Sequence, residues 1–478
     1  MNKKILYWFV ILQPILDIYW FYNGKLATIL PFTIPTIIRL IALFVLTVLF
    51  LKYILQDKFL IAYIALLVVF SGLHLYMMLH FAGDFGYSTT GEAFYLLRMM
   101  IPIAILFFTK YSNFSKENFF KAVTIVSLLF SLTVVISNLL IISLRSYETG
   151  QISGNIFMWY TNPNLGYSHI ASKGFFNFSN MLSAVMLMLV PLVTYQVSYH
   201  LSKKTILVAI MHALAMIEIG TKIALAGVII GFLVSYLALF IAKNRPNFKK
   251  TMLVIVAIEA LALVTLPVGP VMQRYNYEKL LAKQSDDQTS QLNKTLKEKL
   301  SQLSGQAKLD YEKDFIKNNY QAYSLNPKFV LKGYPYTKDP EFWIKIMQEP
   351  GEARMNNRYL EKQMLKRASE KNGQTKTLLF GMGFMRQTNI FILERDFISQ
   401  IYSLGIFGML LLVGPSIVSL LLGLWKLWKT RDELIISTVL ASAMILFAAY
   451  YSGNVLDFLT SSIILAFVNG FMLSYKKD

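Results

Sequence analysis

Long apolar runs alternate with short polar loops along most of this 478-residue chain. Most runs are about 20 residues long, the length that an α-helix needs to cross a hydrocarbon core of about 30 Å. Gly220 and Thr221 alone separate two of the runs, which predicts either a tight hairpin or one broken helix. The pattern as a whole predicts an all-α integral membrane protein with about twelve transmembrane helices. The runs lie at 5–22, 35–54, 59–80, 93–109, 118–142, 178–198, 204–219, 222–242, 251–268, 397–425, 433–451 and 455–474.

One polar segment, residues 271–396, interrupts this pattern and divides the chain into three parts. About nine spans precede it in 1–270, and about three follow it in 397–478. Within it, 277–321 carries leucines at helical intervals and lacks proline, and 352–371 has a similar character. Between them, the Pro-, Gly- and Tyr-rich stretch 326–340 is typical of a linker. We therefore expect a large loop of mostly helical structure.

The positive charges of the short loops predict the orientation in the membrane. Alternate loops on one side carry eighteen lysines and arginines, whereas the short loops opposite carry Lys25, Arg145 and Lys173. Because cytoplasmic loops are enriched in these residues, both termini are predicted to be cytoplasmic. Residues 271–396 are then extracytoplasmic. The loop's own 22 Lys and Arg against 15 Asp and Glu do not contradict this, because the rule weakens for long loops.

Composition excludes several classes of function. The chain has no cysteine, which excludes disulfide scaffolds, thiolate metal sites and thiol nucleophiles. Its net charge of +19 lies mainly in loops, as topology and a lipid headgroup surface require, so we do not expect nucleic acid as a partner. The five histidines are scattered without metal-ligand spacing and no nucleotide-binding motif occurs, so neither a metal nor another cofactor is expected.

Ionisable side chains inside the apolar runs are costly and usually face a cavity or a partner. The conservative interpretation is internal pairing that locks the helix bundle, for instance of Asp17 with Arg39. The functional interpretation concerns Arg39, Arg98 and Lys222, which lie near the outer ends of their predicted spans. Such cations would line an outward-facing cavity that binds a lipid diphosphate. The full set is Asp17, Arg39, Arg98, Glu218, Lys222, Glu259 and Asp457.

The end of the polar segment holds the densest polar chemistry. Arg354 and Arg358 are four residues apart, so one helix would present both on the same face. They are either solvated or form a fork for a phosphate, which guanidinium binds bidentately. Glu394 and Asp396 either mark the return of the chain to the membrane or supply a general base for an attacking hydroxyl. Gly381-Met-Gly383 is too short for a nucleotide-binding signature and predicts a tight turn.

Several short stretches resemble O-antigen ligase-like proteins of Gram-positive bacteria. They are Lys173-Gly-Phe-Phe-Asn-Phe-Ser-Asn180-Met-Leu-Ser-Ala, Gly220-Thr-Lys-Ile-Ala-Leu-Ala-Gly227, Asn357-Arg358, Leu379-Phe-Gly-Met-Gly-Phe384 and Glu394-Arg-Asp-Phe397 with Tyr402-Ser-Leu-Gly-Ile-Phe-Gly408. Gln13-Pro14 with Asp17, and Arg39, fit the first two spans of the family. The resemblance covers nearly the whole chain in layout.

The resemblance implies a metal-independent, inverting glycosyltransferase of the C-type class, either a polymerase or a ligase. It would move glycan from an undecaprenyl-diphosphate carrier to an acceptor hydroxyl. By position, Arg358 matches the arginine that binds the donor diphosphate, and Lys222 matches the basic residue of the Thr-Lys motif. Where the family often has histidine, this chain has Asn454, which cannot act as a base at neutral pH. Glu394, Asp396 or Asp457 would then supply the base, or the chemistry would rest on leaving-group stabilisation.

The sequence thus predicts a multi-pass protein of the bacterial cytoplasmic membrane that works on lipid-linked oligosaccharide, with Arg358, Arg354, Lys222 and Arg98 as diphosphate ligands. Glu394, Asp396 and Asn454 are the candidate catalytic groups. Its other partners would be membrane lipid, the glycan acceptor and other polysaccharide-assembly proteins. Two alternatives stay open. One is a flippase or exporter of lipid-linked glycan, against which the lopsided layout argues; the other is a non-catalytic scaffold of an assembly complex.

Overall fold

The computed structural model describes residues 2–24, 33–80, 86–162, 164–244, 247–390 and 393–476. These residues are helical apart from their connections, and no β-strand occurs among them. The first fourteen helices are α1 Asn2–Ile11, α2 Gln13–Leu16, α3 Tyr19–Asn23, α4 Ile34–Gln56, α5 Lys58–Leu79, α6 Thr89–Ser112, α7 Lys116–Leu139, α8 Met158–Thr161, α9 Tyr167–Ile170, α10 Ser179–Tyr199, α11 Lys203–Ile219, α12 Lys222–Ala226, α13 Phe232–Ala238 and α14 Phe248–Thr265. The others are α15 Pro270–Gln302, α16 Gly305–Asn319, α17 Pro340–Met347, α18 Gly351–Met355, α19 Asn357–Asn372, α20 Gln374–Phe380, α21 Phe384–Ile390, α22 Asp396–Leu412, α23 Gly414–Thr430, α24 Glu433–Tyr451 and α25 Leu459–Ser474.

The helical, membrane-spanning character predicted from the apolar runs is confirmed. Nine helical stretches among the described residues are long and apolar enough to cross a membrane. A tenth apolar helix, α25, is shorter. The prediction of about twelve spans is a finer statement that stays a prediction. The nine stretches are Ile34–Gln56, Lys58–Leu79, Thr89–Ser112, Lys116–Leu139, Ser179–Tyr199, Lys222–Ile241, Lys249–Gln302, Asp396–Thr430 and Glu433–Tyr451.

The first apolar run, 5–22, does not form the continuous helix that its hydropathy predicts. It is divided into α1, α2 and α3. Pro14 lies in the first turn of α2, where its missing N–H costs little, and Ile18 has an extended backbone between α2 and α3. The run is therefore apolar enough to be buried, but its backbone turns at Asp17 and Ile18.

The pair 204–219 and 222–242 forms two separate helical stretches. Gly220 ends α11 with a left-handed φ of +69°, a conformation that glycine adopts without steric cost. Thr221 then begins the next stretch, since its hydroxyl accepts a hydrogen bond from the Ala224 N–H. The predicted break at these two residues is confirmed.

The described chain forms two compact units. The loop unit consists of Phe70–Tyr95 and Arg274–Met409, and the span unit contains the other residues. The predicted extracytoplasmic segment 271–396 overlaps the larger part of the loop unit, and its role as a separate domain stays a prediction. The smaller part of the loop unit, Phe70–Tyr95, comes from the end of one apolar run and the start of the next. Hydropathy alone does not assign these residues to the loop unit.

The loop unit has a hydrophobic core of its own. Trp343, Met347, Leu360 and Leu365 are fully buried in it, on α17 and α19. The predicted linker 326–340 belongs to this core, so its assignment as a linker is wrong: Val330 and Tyr334 are buried, and the Trp343 indole N–H donates to the Tyr334 carbonyl at 2.7 Å. The proline and tyrosine residues there shape a packed turn, and the unit is a folded domain.

Candidate functional site

Arg358 lies at the start of α19 in the loop unit. Asn356 precedes the helix and caps it, because its side chain accepts the Tyr359 N–H. The Arg358 guanidinium donates from Nη2 and Nε to the same Glu394 carboxylate oxygen, at 3.0 and 3.2 Å. Both side chains are partly exposed, at 31% for Arg358 and 41% for Glu394. Arg358 is therefore a partly exposed cation, paired with a carboxylate that is itself partly exposed.

Arg354 is buried, whereas Arg358 is partly exposed. The expected shared helix face is wrong, because Asn356 separates α18 from α19. The Arg354 side chain is 1% exposed, pairs with Asp286 at 2.7 Å, and lies 4.9 Å above the Tyr323 ring. Its charge is thus already matched inside the loop unit. A diphosphate-binding role for Arg354 stays a prediction that this geometry does not favour.

Glu361, which sequence reasoning missed, lies one turn after Arg358 on α19. Its side chain is 6% exposed, and its Oε2 accepts the backbone N–H of Glu394 at 3.2 Å. Burial raises the pKa of the Glu361 carboxyl to about 8; the Glu394 charge adds to this, while the Glu394 N–H and Arg358 oppose it. A single glutamate on a Lys- and Glu-rich amphipathic helix carries no sequence signal for such burial.

Asp396 follows this group and begins α22. It is fully buried, and a carboxylate in the first turn of a helix interacts favourably with the exposed N–H groups and the helix dipole. This position agrees with the interpretation of Asp396 as a mark of where the chain returns to apolar structure. Its role as general base remains a prediction.

The Gly381-Met-Gly383 stretch forms a turn, as predicted, with left-handed φ angles at both glycines. The N–H groups of Phe384 and Met385, which begin α21, both donate to the buried Glu92 carboxylate at 2.9 Å. His74 Nε2 lies 3.0 Å from the same carboxylate, and its Nδ1 donates to the Phe380 carbonyl at 2.9 Å. Residues from Phe70–Tyr95 thereby fix this turn within the loop unit.

In the span unit, buried polar groups surround Arg39. Its guanidinium donates to Gln13 Oε1 at 3.0 Å, to the Tyr22 hydroxyl at 3.0 Å and to Thr460 Oγ1 at 2.7 Å. Thr460 in turn contacts Asp17 Oδ1 at 3.5 Å. The expected pairing of Asp17 with Arg39 is therefore indirect in the described structure, and passes through the Thr460 hydroxyl.

The remaining predicted site residues of the span unit lie on separate elements. Arg98, on α6, is within electrostatic range of the Tyr22 hydroxyl that Arg39 contacts. Lys222 is the exposed first residue of α12. Asn454 has a left-handed φ of +62° in the connection between α24 and α25, shortly before the buried Asp457.

The loop unit contains the other predicted site residues, which are Arg358, Arg354, Glu394 and Asp396. A common pocket for the residues of both units stays a prediction.

Comparisons with known proteins and protein families place the chain in one family. A comparison with curated proteins finds no match to this chain. The family model described as O-antigen ligase like membrane protein matches residues 1–478, the whole length of the chain. This family points to membrane enzymes that process glycans carried on lipids. On the evidence of a match that extends over all its residues, the chain belongs to the O-antigen ligase like family of membrane proteins.

Proposed function

We propose that this protein is a glycosyltransferase, a polysaccharide polymerase or ligase. It moves a glycan from an undecaprenyl-diphosphate carrier to an acceptor hydroxyl outside the cytoplasmic membrane. The family match over the whole chain is the observation that carries this proposal. The partly exposed Arg358 guanidinium, whose described ion-pair partner is the partly exposed Glu394, supports it, because guanidinium binds diphosphate oxygens bidentately and keeps its charge.

The proposed chemistry rests on stabilising the leaving group. As the glycan leaves its carrier, negative charge builds up on the diphosphate, and fixed cations lower the barrier by interacting more strongly with that charge. Arg358 is the first cation in this scheme, with Arg98 and Lys222 as further ligands. An enzyme that uses these cations would need no metal ion, and attack by the acceptor from the opposite face would invert the anomeric centre.

The proposal is tested by reconstituting the full chain in liposomes with a lipid-linked oligosaccharide and a glycan acceptor. The expected result is release of undecaprenyl diphosphate in step with growth or attachment of glycan. Movement of intact lipid-linked glycan across the bilayer would instead indicate a flippase. Absence of both reactions in the presence of natural partner proteins would leave a scaffold. Chain growth identifies a polymerase, and transfer to a different acceptor identifies a ligase.

The orientation behind this proposal gives a separate prediction. Because the chain has no cysteine, single cysteines can be labelled without background. Gln302→Cys, at the end of α15, should react with a membrane-impermeant maleimide in intact cells. Asn244→Cys, also exposed but in a predicted cytoplasmic loop, should react only after permeabilisation. The reverse labelling pattern would place the loop unit in the cytoplasm and rule out the proposed reaction.

A further inference from the structure

Three ionisable side chains lie together where α19 begins. Arg358 and Glu361 are one helical turn apart and so lie on the same side of the helix. Glu394 contacts both, through its carboxylate to Arg358 and through its backbone N–H to Glu361. The three groups differ sharply in environment, since Arg358 and Glu394 are partly exposed while Glu361 is almost completely buried. Two carboxyl groups in contrasting environments beside one cation can take different chemical roles.

We propose that Glu361 is the general base of glycan transfer and that Glu394 is the resting counter-ion of Arg358. This inference rests on the proposed function. When the donor binds, its diphosphate takes the place of the Glu394 carboxylate on Arg358, because the diphosphate charge repels that carboxylate. The exchange uncovers Glu361 beside the bound donor. The Glu394 backbone N–H remains on Glu361 and keeps its carboxylate oriented.

The acceptor oxygen forms a bond to the anomeric carbon while the bond from that carbon to the diphosphate oxygen breaks. The bonding electrons leave with the diphosphate, whose charge Arg358 stabilises. The proton of the acceptor hydroxyl passes to the Glu361 carboxylate and then to solvent. No histidine is required at the position of Asn454.

The observations favour Glu361 over the two carboxylates selected from the sequence. A base is most effective when its pKa lies near the working pH. Burial, the largest influence, raises the pKa of Glu361 to about 8, whereas an ordinary glutamate has a value of 4.5. Glu394 is engaged by the cation that the donor needs, and Asp396 is buried at the start of α22. The charged groups that act on Glu361 are Glu394, on the neighbouring segment, and Arg358, on its own helix.

The inference predicts a specific dependence on pH. A base is active when ionised, so the transfer rate should rise with pH through about 8 and level off above it. Glu361→Gln retains an oxygen that accepts the Glu394 N–H and resembles the protonated carboxyl in shape. We expect it to accumulate normally, to transfer glycan on the order of 100-fold more slowly, and to lose the rise near pH 8.

The matched control is Glu370→Gln on the same helix, where the exposed Glu370 pairs with Lys366. It should keep both the rate and the pH profile of the wild type. Glu361→Asp provides a second variant, which should keep a rising profile at a lower rate because the carboxylate is displaced. A Glu361→Gln variant with the wild-type rate and profile would show that Glu361 only positions the Glu394 backbone, and would overturn the inference.

An infrared measurement separates this inference from the proposed function. The difference spectrum between wild type and Glu361→Gln should show a carboxylic acid C=O band at neutral pH that disappears through about pH 8. An active wild type without this band overturns the role of Glu361 and leaves the function intact. A wild type that carries the band but transfers no glycan overturns the function, and the role of Glu361 with it.

Discussion

Replacing Arg358 with alanine is expected to stop glycan transfer while the protein accumulates in the membrane at its normal level. The guanidinium is proposed to stabilise charge that develops on the departing diphosphate. Loss of one such donor typically lowers rates by on the order of 100- to 1000-fold. The fold should be unaffected, because the Arg358–Glu394 pair is partly exposed and exposed ion pairs contribute at most about 1 kcal/mol. The measurement is the initial rate of donor consumption in reconstituted membranes.

Three further variants test whether the effect is specific to the Arg358 guanidinium. Arg358→Lys keeps the charge but loses the bidentate fork, so it should retain part of the activity. Lys366→Ala removes one exposed cation from the same helix and should leave the rate unchanged. Arg354→Ala should instead lower the amount of folded protein, because it leaves a space where the buried guanidinium packs over the Tyr323 ring. An active Arg358→Ala variant would remove this residue from the site.

The contrast between the two arginines shows what the sequence does and does not predict. Their spacing of four residues is a local property, and it would place them on one face if a single helix contained both. The break at Asn356 depends instead on packing that buries Arg354 against Asp286 and Tyr323, which lie in distant parts of the sequence. Local periodicity cannot detect such contacts, so the helical content was predicted correctly but the shared face and the burial of Arg354 were not.

Glu361 and Glu92 illustrate the same limit. Each is one acidic residue in a sequence context that gives no sign of burial, and each is buried through residues far along the chain. By contrast, the turn at Gly381-Met-Gly383 and the break at Gly220-Thr221 were predicted, because glycine and threonine encode these features locally. Long-range packing places these buried carboxylates, and a single sequence shows that packing least directly.

Two backbone segments of the loop unit pack very closely where α22 bends at Gly405. Gly405, inside α22, has a left-handed φ of +72°, and a Cβ atom there would lie 2.2 Å from the Leu379 carbonyl oxygen. Gly381 lies on the other side of this contact, and a Cβ atom there would lie 2.1 Å from the Ser403 carbonyl oxygen. Met382 N–H donates to the Tyr402 carbonyl at 2.7 Å. Two backbone segments thus touch directly, with a glycine on each side of the contact.

Alanine at Gly405 or Gly381 is therefore expected to cause the largest loss of stability of any single methyl group added to the loop unit. The methyl group would collide with backbone that cannot move without breaking the turn, and the left-handed φ adds strain. Together these effects cost about 3 kcal/mol or more. Thermal unfolding of the purified protein in detergent should occur at a clearly lower temperature, and accumulation in the membrane should fall.

Two other glycines separate the causes of this loss. Gly373 also has a positive φ, of +93°, but no heavy atom of the described residues beyond its chain neighbours lies within 4 Å of its Cβ position, so Gly373→Ala should show the backbone strain without the collision. Gly414→Ala has neither strain nor collision and should behave as the wild type. The expected order of stability is Gly414→Ala, then Gly373→Ala, then Gly405→Ala and Gly381→Ala. Equal stability of all four variants would mean that the backbone around Gly381 does not pack closely against the backbone around Gly405, and would contradict this prediction.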